Sequence, residues 1–161
     1  MGRLYWIESG LPRRIAVAAR PSGGDGLEAD LRAWAEDGVR RVVSLLGADE
    51  AASLDLTDEP AACARLGLVF SGLPTPDFDI PPDDAKTRDL ISVLTALPVA
   101  DGIVIHCRGG LGRSPSLAAV LLRRLGLTAE AAMRQISLAR GRQVPETPGQ
   151  RRWIETFDVG V

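Results

Sequence analysis

The sequence predicts an α/β domain in which helices flank one small central β-sheet, and three observations carry that expectation. Short apolar runs of strand length alternate along the chain with stretches of helical periodicity. The helical stretches repeatedly stop at a glycine (Gly38, Gly67, Gly126, Gly141), the residue that ends a helix at least steric cost. The 161 residues, 45% of them hydrophobic, supply one core without repeats, linkers or low-complexity tails, so 1–161 reads as a single domain.

Taken in order, residues 4–7 and 14–18 read as short strands around the Ser9-Gly10-Leu11-Pro12 turn. Leu27, Leu31 and Trp34 then fall on one helical face, and residues 41–46 form a buried-type strand. A helix is expected from Thr57, a candidate N-cap, through Leu66, followed by a strand at 68–70. Residues 73–82 hold four of the eleven prolines, too many for a sheet interior, and make a stiff surface loop. Residues 83–97 read as a helix with Leu90, Leu94 and Leu97 inward. Helices are also expected over 128–140 and 149–157.

The organising stretch is residues 102–114. An apolar strand ends in His106-Cys107, a glycine-rich turn follows, and Ser114-Pro115 opens a helix whose Leu117, Val120, Leu121 and Leu125 share a face. A strand, a tight loop and a helix N-terminus together aim several backbone amides at one point, which is an anion seat. A thiolate is itself an anion, so amides that cradle a phosphate also favour the reactive form of Cys107. Arg113 at the loop's exit brings a planar fork that can hold two phosphate oxygens. A phosphate held there by the amides of Arg108, Gly109, Gly110, Leu111 and Gly112 lies over the sulfur. Gly109, Gly110 and Gly112 suit close backbone approach, with an ordinary turn as the plainer account.

Composition narrows the classes. A net charge of -2 gives no electrostatic case for nucleic acid, and the 19 basic residues, all Arg except Lys86, are scattered. Two cysteines make no disulfide framework, so the chain reads as cytoplasmic, and no run is long enough to span a bilayer. One histidine and two distant cysteines assemble no soft-ligand cluster, so neither metal nor cofactor is expected. A nucleotide-binding P-loop fails, because it needs glycine where Cys107 stands and lysine where Arg113 stands.

His106-Cys107-(five residues)-Arg113-Ser114 resembles the signature of the cysteine-dependent protein tyrosine phosphatases, and HCRGGLGRS resembles most closely their compact dual-specificity branch. The resemblance is strong over residues 67–126 and looser elsewhere. It implies a phosphatase fold, a phosphorylated protein or peptide as substrate, and a two-step reaction without cofactor. It implies Cys107 as nucleophile, Arg113 as phosphate clamp, and Ser114 as aid to the departing thiolate.

Expelling an alkoxide or phenoxide needs a proton, and the proline-rich loop offers Asp77 and Asp79. Pro76-Asp77-Phe78-(two residues)-Pro81 resembles the family's general-acid loop and favours Asp77. Neighbouring strand residues point to opposite sides, so His106 is badly placed as a base for Cys107, and the resemblance gives it an orienting role. Gln150 matches a water-positioning glutamine of the family, with helix capping as the alternative. Arg108 either attracts acidic substrate surroundings or is solvated. Cys63 is either a redox partner of Cys107 or a small buried hydrophobe. A phosphoinositide phosphatase and a non-catalytic phosphate-binding module are the competing functions. Oligomeric state is not legible.

Overall fold

The computed structural model describes residues 2–160 and has a five-stranded mixed sheet with helices on both faces. Strands β1 (Tyr5–Trp6), β2 (Ile15–Ala18), β3 (Val39–Ser44), β4 (Val69–Gly72) and β5 (Gly102–His106) lie in the order β1-β2-β5-β3-β4. Only β1 is antiparallel to its neighbour. β5 is central and buried along its whole length, as an apolar run between two parallel neighbours should be, although it ends in the polar His106. Its alternate residues feed two cores. Ile103, Ile105 and Cys107 join the cluster under α5 (Arg113–Arg124), α6 (Ala129–Arg140) and α7 (Pro148–Thr156). Val104 joins Leu31, Trp34, Cys63 and Leu68 beneath α1 (Leu27–Glu36) and α3 (Glu59–Arg65).

The register gathers the working loops. Ala18 and Ser44 both stand opposite His106, and Gly72 stands opposite Ser44, so four parallel strands end together. In open α/β sheets the crevice beyond the carboxyl ends of the strands is where ligands collect. Here it receives the segments after β2, β3, β4 and β5.

Several boundaries differ from the sequence expectation. The helix expected from Thr57 is α3, entered from Asp58, and a short helix α2 (Ala48–Ser53) precedes it unforeseen. In α4 (Asp84–Thr95) the buried residues are Thr87, Ile91 and Leu94, whereas Leu90 and Leu97 are only partly buried. The strand expected at 41–46 begins at Val39 and ends at Ser44, although the Leu45 N–H still donates to the His106 carbonyl (3.0 Å) and its carbonyl accepts from the Thr75 N–H (3.0 Å).

Candidate active site

Loop 107–112 joins β5 to α5 with most of its carbonyls bonded to the surrounding structure. The Arg108 carbonyl accepts from the Arg20 N–H (3.2 Å), and the Gly112 carbonyl accepts from the Ser116 N–H (3.0 Å) and hydroxyl (2.6 Å). Arg140 of α6 donates Nε–H to the Gly110 carbonyl (3.0 Å) and Nη2–H to that of Gly109 (3.4 Å). With the carbonyls engaged outward, the amides are free to converge inward, where the α5 N-terminus adds positive potential. Gly110 has a left-handed φ of 73°, and a Cβ there would come within 2.8 Å of the Ala18 carbonyl. The Cys107 sulfur accepts from the Gly110 N–H at 3.2 Å and lies 3.3 Å from the Ser114 hydroxyl. It is 3% exposed, so little of it meets solvent.

Arg113 is equally confined. Nη1 donates to Glu50 Oε1 (2.7 Å) and the Thr75 carbonyl (2.9 Å), and Nη2 donates to Glu50 Oε2 (2.9 Å). Asp77 Oδ1 stands 3.2 Å from Nη2 on the open side. Glu50 therefore takes one edge of the five-donor fork and leaves the edge formed by Nε and Nη2 for an incoming anion. The Arg113 hydrogen bonds and charge, with Arg108 beyond them, hold the Glu50 carboxyl below its ordinary value against the cost of burial. Burial opposes the charge on Arg113, but hydrogen bonding to Glu50 and the charges of Cys107, Glu50 and Asp77 outweigh it, raising its pKa.

The proline-rich loop separates its two aspartates. Asp77 turns toward Arg113, whereas the Asp79 carboxylate accepts from the Ile80 N–H at 2.8 Å. The turn closes through Asp79 N–H to the Pro76 carbonyl, and Phe78 at its tip is 63% exposed with φ 61°. Gln150 is fully buried and does two things. It completes a capping box with Thr147 at the start of α7, and its Nε2 donates to the Asp79 carbonyl at 3.2 Å. A methyl group placed on Gly112 would meet Glu146 and would lie 2.8 Å from Gln150 Nε2, so this amide also abuts the phosphate loop.

His106 points to the opposite face of β5 from the sulfur. It is fully buried, tilts against Trp34, and pairs through Nε2 with Glu59 Oε1 at 2.6 Å. Arg108 is exposed at the rim, near enough to Glu50 to favour its charge.

With this geometry in hand, comparison with known proteins decides the family. The model of the DSP-PTPase phosphatase of polymorphic toxin systems matches residues 16–127, well over half of the chain. The chain belongs to this phosphatase family. No curated protein matches it. Among solved structures, kinase associated phosphatase, with serine replacing its catalytic-site cysteine, superposes at a TM-score of 0.84 with 21% identity, covering 94% of this chain and 91% of the other. PTPMT1 in complex with PI(5)P gives 0.76 at 18% identity, covering 95% and 94%. P. aeruginosa TpbA in complex with pTyr gives 0.64 at 18% identity, covering 92% and 82%. These likenesses establish the fold, and with the family match they make the chain a cysteine-dependent phosphatase of the compact dual-specificity type.

The phosphatase thus brings Cys107, Arg113, Ser114, Asp77 and Gln150 to one crevice, with His106 directly behind it. Cys63 stands apart, in the core on the other face of the sheet, where burial and then the Glu59 carboxylate push its thiol up to about 12. That favours the small-hydrophobe reading over a redox partner. Two carboxylates escaped the sequence reading. The helix that carries Glu50 left a trace, since Gly47-Ala48-Asp49-Glu50-Ala51-Ala52 has an acidic first turn and good helix formers, but its partner 63 positions away left none. Glu59 left no trace, because nothing local marks a glutamate as 2% exposed.

Proposed function

We propose that this phosphatase hydrolyses phosphotyrosine, and secondarily phosphoserine or phosphothreonine, in proteins through a phosphocysteine formed on Cys107. The single observation that carries the reading is the sulfur held by the Gly110 N–H at the start of α5, with the free edge of Arg113 close enough to feel its charge. The substrate phosphate displaces Asp77 from Arg113 and takes the Nε and Nη2 hydrogens, and Asp77, off the clamp, takes up a proton from solvent. The thiolate attacks phosphorus, the bond from phosphorus to the leaving oxygen breaks, and Asp77 delivers its proton to that oxygen. In the second step the Asp77 carboxylate takes a proton from water, the water oxygen bonds to phosphorus, and the sulfur–phosphorus bond breaks. The Ser114 hydroxyl, 3.3 Å from the sulfur, donates to the thiolate as it leaves. Gln150 lies between the acid loop and the phosphate loop, where it can orient that water. The 161 residues act as one catalytic domain, and none of the described helices is long and apolar enough to cross a membrane.

The choice of substrate rests on the rim. A groove of about 590 Å³ runs from Glu50 and Asp77 past Ala48, Asp49, Pro74, Pro76 and Pro82. Its apolar walls suit the residues beside a phosphorylated side chain, while Asp49 repels a headgroup carrying several phosphates. PTPMT1 with PI(5)P supports the rival phosphoinositide reading, and TpbA with pTyr supports this one. Loop 107–113 brings only one cation, Arg108, besides the clamp itself. The test is hydrolysis of p-nitrophenyl phosphate, a phosphotyrosyl peptide and a phosphoinositide, each with chelator present. Faster turnover of the peptide than of the lipid is expected. The reverse ranking would replace the protein substrate with the lipid, and binding of phosphate without turnover would leave a phosphate-binding module.

A further inference from the structure

Behind the phosphate loop lies a buried polar couple that the two-step chemistry leaves without a task. His106 is wholly buried and Glu59 is 2% exposed, with Nε2 2.6 Å from Oε1. The other ring nitrogen, Nδ1, lies 3.3 Å from the carbonyl oxygen of Cys107. A carbonyl oxygen only accepts, so Nδ1 supplies a hydrogen. Nε2 and a carboxylate oxygen cannot meet at 2.6 Å as two acceptors, so a second hydrogen lies between them. A separation this short suits a charge-assisted N–H···O bond, with that hydrogen carried on the ring. The couple is then neutral overall, whereas an unpaired carboxylate at this depth would be strongly destabilising.

We propose that Glu59 is a positioning residue for the phosphate loop: its carboxylate holds His106 with a hydrogen on both ring nitrogens, so that Nδ1–H fixes the Cys107 carbonyl. The proposal rests on the phosphatase reading of Cys107. A trans peptide plane carries its carbonyl and the next N–H on opposite sides. Holding the Cys107 carbonyl toward His106 therefore turns the Arg108 N–H away, toward the loop's interior. The cationic ring one residue from the sulfur also favours the thiolate. The other groups facing the couple are few. Cys63 stands one helical turn beyond Glu59 and is uncharged, its thiol pushed up to about 12. From α1 comes the Trp34 ring, 5.9 Å between centroids, and from β3 comes Ser44, the register partner of His106. Across the loop stand Cys107 and the Arg113–Glu50 pair.

His106 is the only histidine in the chain, so nitrogen-15 imidazole NMR reports on it alone. Wild type at neutral pH is expected to show both ring nitrogens protonated, and Glu59→Gln a single neutral tautomer. In the same variant kcat/KM for p-nitrophenyl phosphate should fall about tenfold on the acid side, with its acid limb displaced to higher pH. Glu59→Asp, which keeps the charge, should recover part of that loss. A neutral tautomer in wild type, or a Glu59→Gln profile that overlays wild type, overturns the proposal. Should Glu59→Gln fail to fold, the wild-type spectrum alone decides. Absence of turnover in wild type would remove the phosphatase reading, while the spectrum still judges the couple.

Discussion

The two loops that meet at the crevice are built on opposite principles. The phosphate loop has its Arg108, Gly109, Gly110 and Gly112 carbonyls bonded to neighbouring elements, and Cys107 and Arg113 are almost entirely buried. The tip of the acid loop, residues 76–79, is exposed throughout and is tied to the crevice through Asp77 to Arg113 and the Asp79 carbonyl to Gln150. The difference separates what must be aimed before substrate arrives from what must yield to it. Amides and a sulfur act on a phosphate only if they already converge. On the proposed mechanism Asp77 leaves Arg113 when phosphate binds, so its tether has to be light.

Breaking the rigid side at its centre gives the largest expected effect. Cys107→Ser should lower kcat by roughly 10⁴-fold or more while inorganic phosphate still binds, as calorimetry would show. On the yielding side, Asp77→Asn should cost roughly 10²–10³-fold in kcat and flatten the basic limb of the pH profile. Asp79→Asn, whose carboxylate serves its own turn, should stay within about threefold by the same assay. Glu50→Gln loosens the clamp without touching the sulfur, and KM for p-nitrophenyl phosphate should rise about tenfold. Because the folded-state Glu50 carboxyl is held below its ordinary value of 4.5, its contribution to stability is complete above that value and fades as pH falls through the folded one. Denaturant titrations across that acid range should show wild type losing more stability than Glu50→Gln. The smallest effect is at Phe78, whose left-handed backbone suits asparagine better than an aromatic residue. Phe78→Asn should stabilise by up to about 1 kcal/mol in thermal melts.

How far the sequence could be read depends on how far apart the cooperating residues lie. Cys107, Arg113 and Ser114 belong to one strand–loop–helix unit, so spacing and local periodicity reveal them directly. Asp77 needed the proline pattern of its loop, and its advantage over Asp79 became physical only when Arg113 was seen 3.2 Å away. Glu50 meets Arg113 across 63 positions and Glu59 meets His106 across 47, and no local pattern encodes such pairings. The strand order was out of reach for the same reason, since β5 inserts between β2 and β3 through contacts distant in sequence. The elements themselves were mostly visible, apart from α2, whose six residues are too short for a periodicity argument.

Gln150 joins two events that the chain otherwise keeps separate. One side chain caps the first turn of α7 and also grips the acid loop at the Asp79 carbonyl. Thermodynamic linkage then runs both ways: whatever draws the acid loop down onto the crevice also discourages fraying of α7, and whatever unwinds that helix frees the loop. A ligand bound over Cys107 should therefore slow hydrogen exchange at the amides of Gln150 and Arg151, whose acceptors belong to Thr147 on the far side of the capping box. The C-terminal helix becomes a reporter of occupancy, and a handle through which a molecule that never enters the crevice could set how often the acid loop closes.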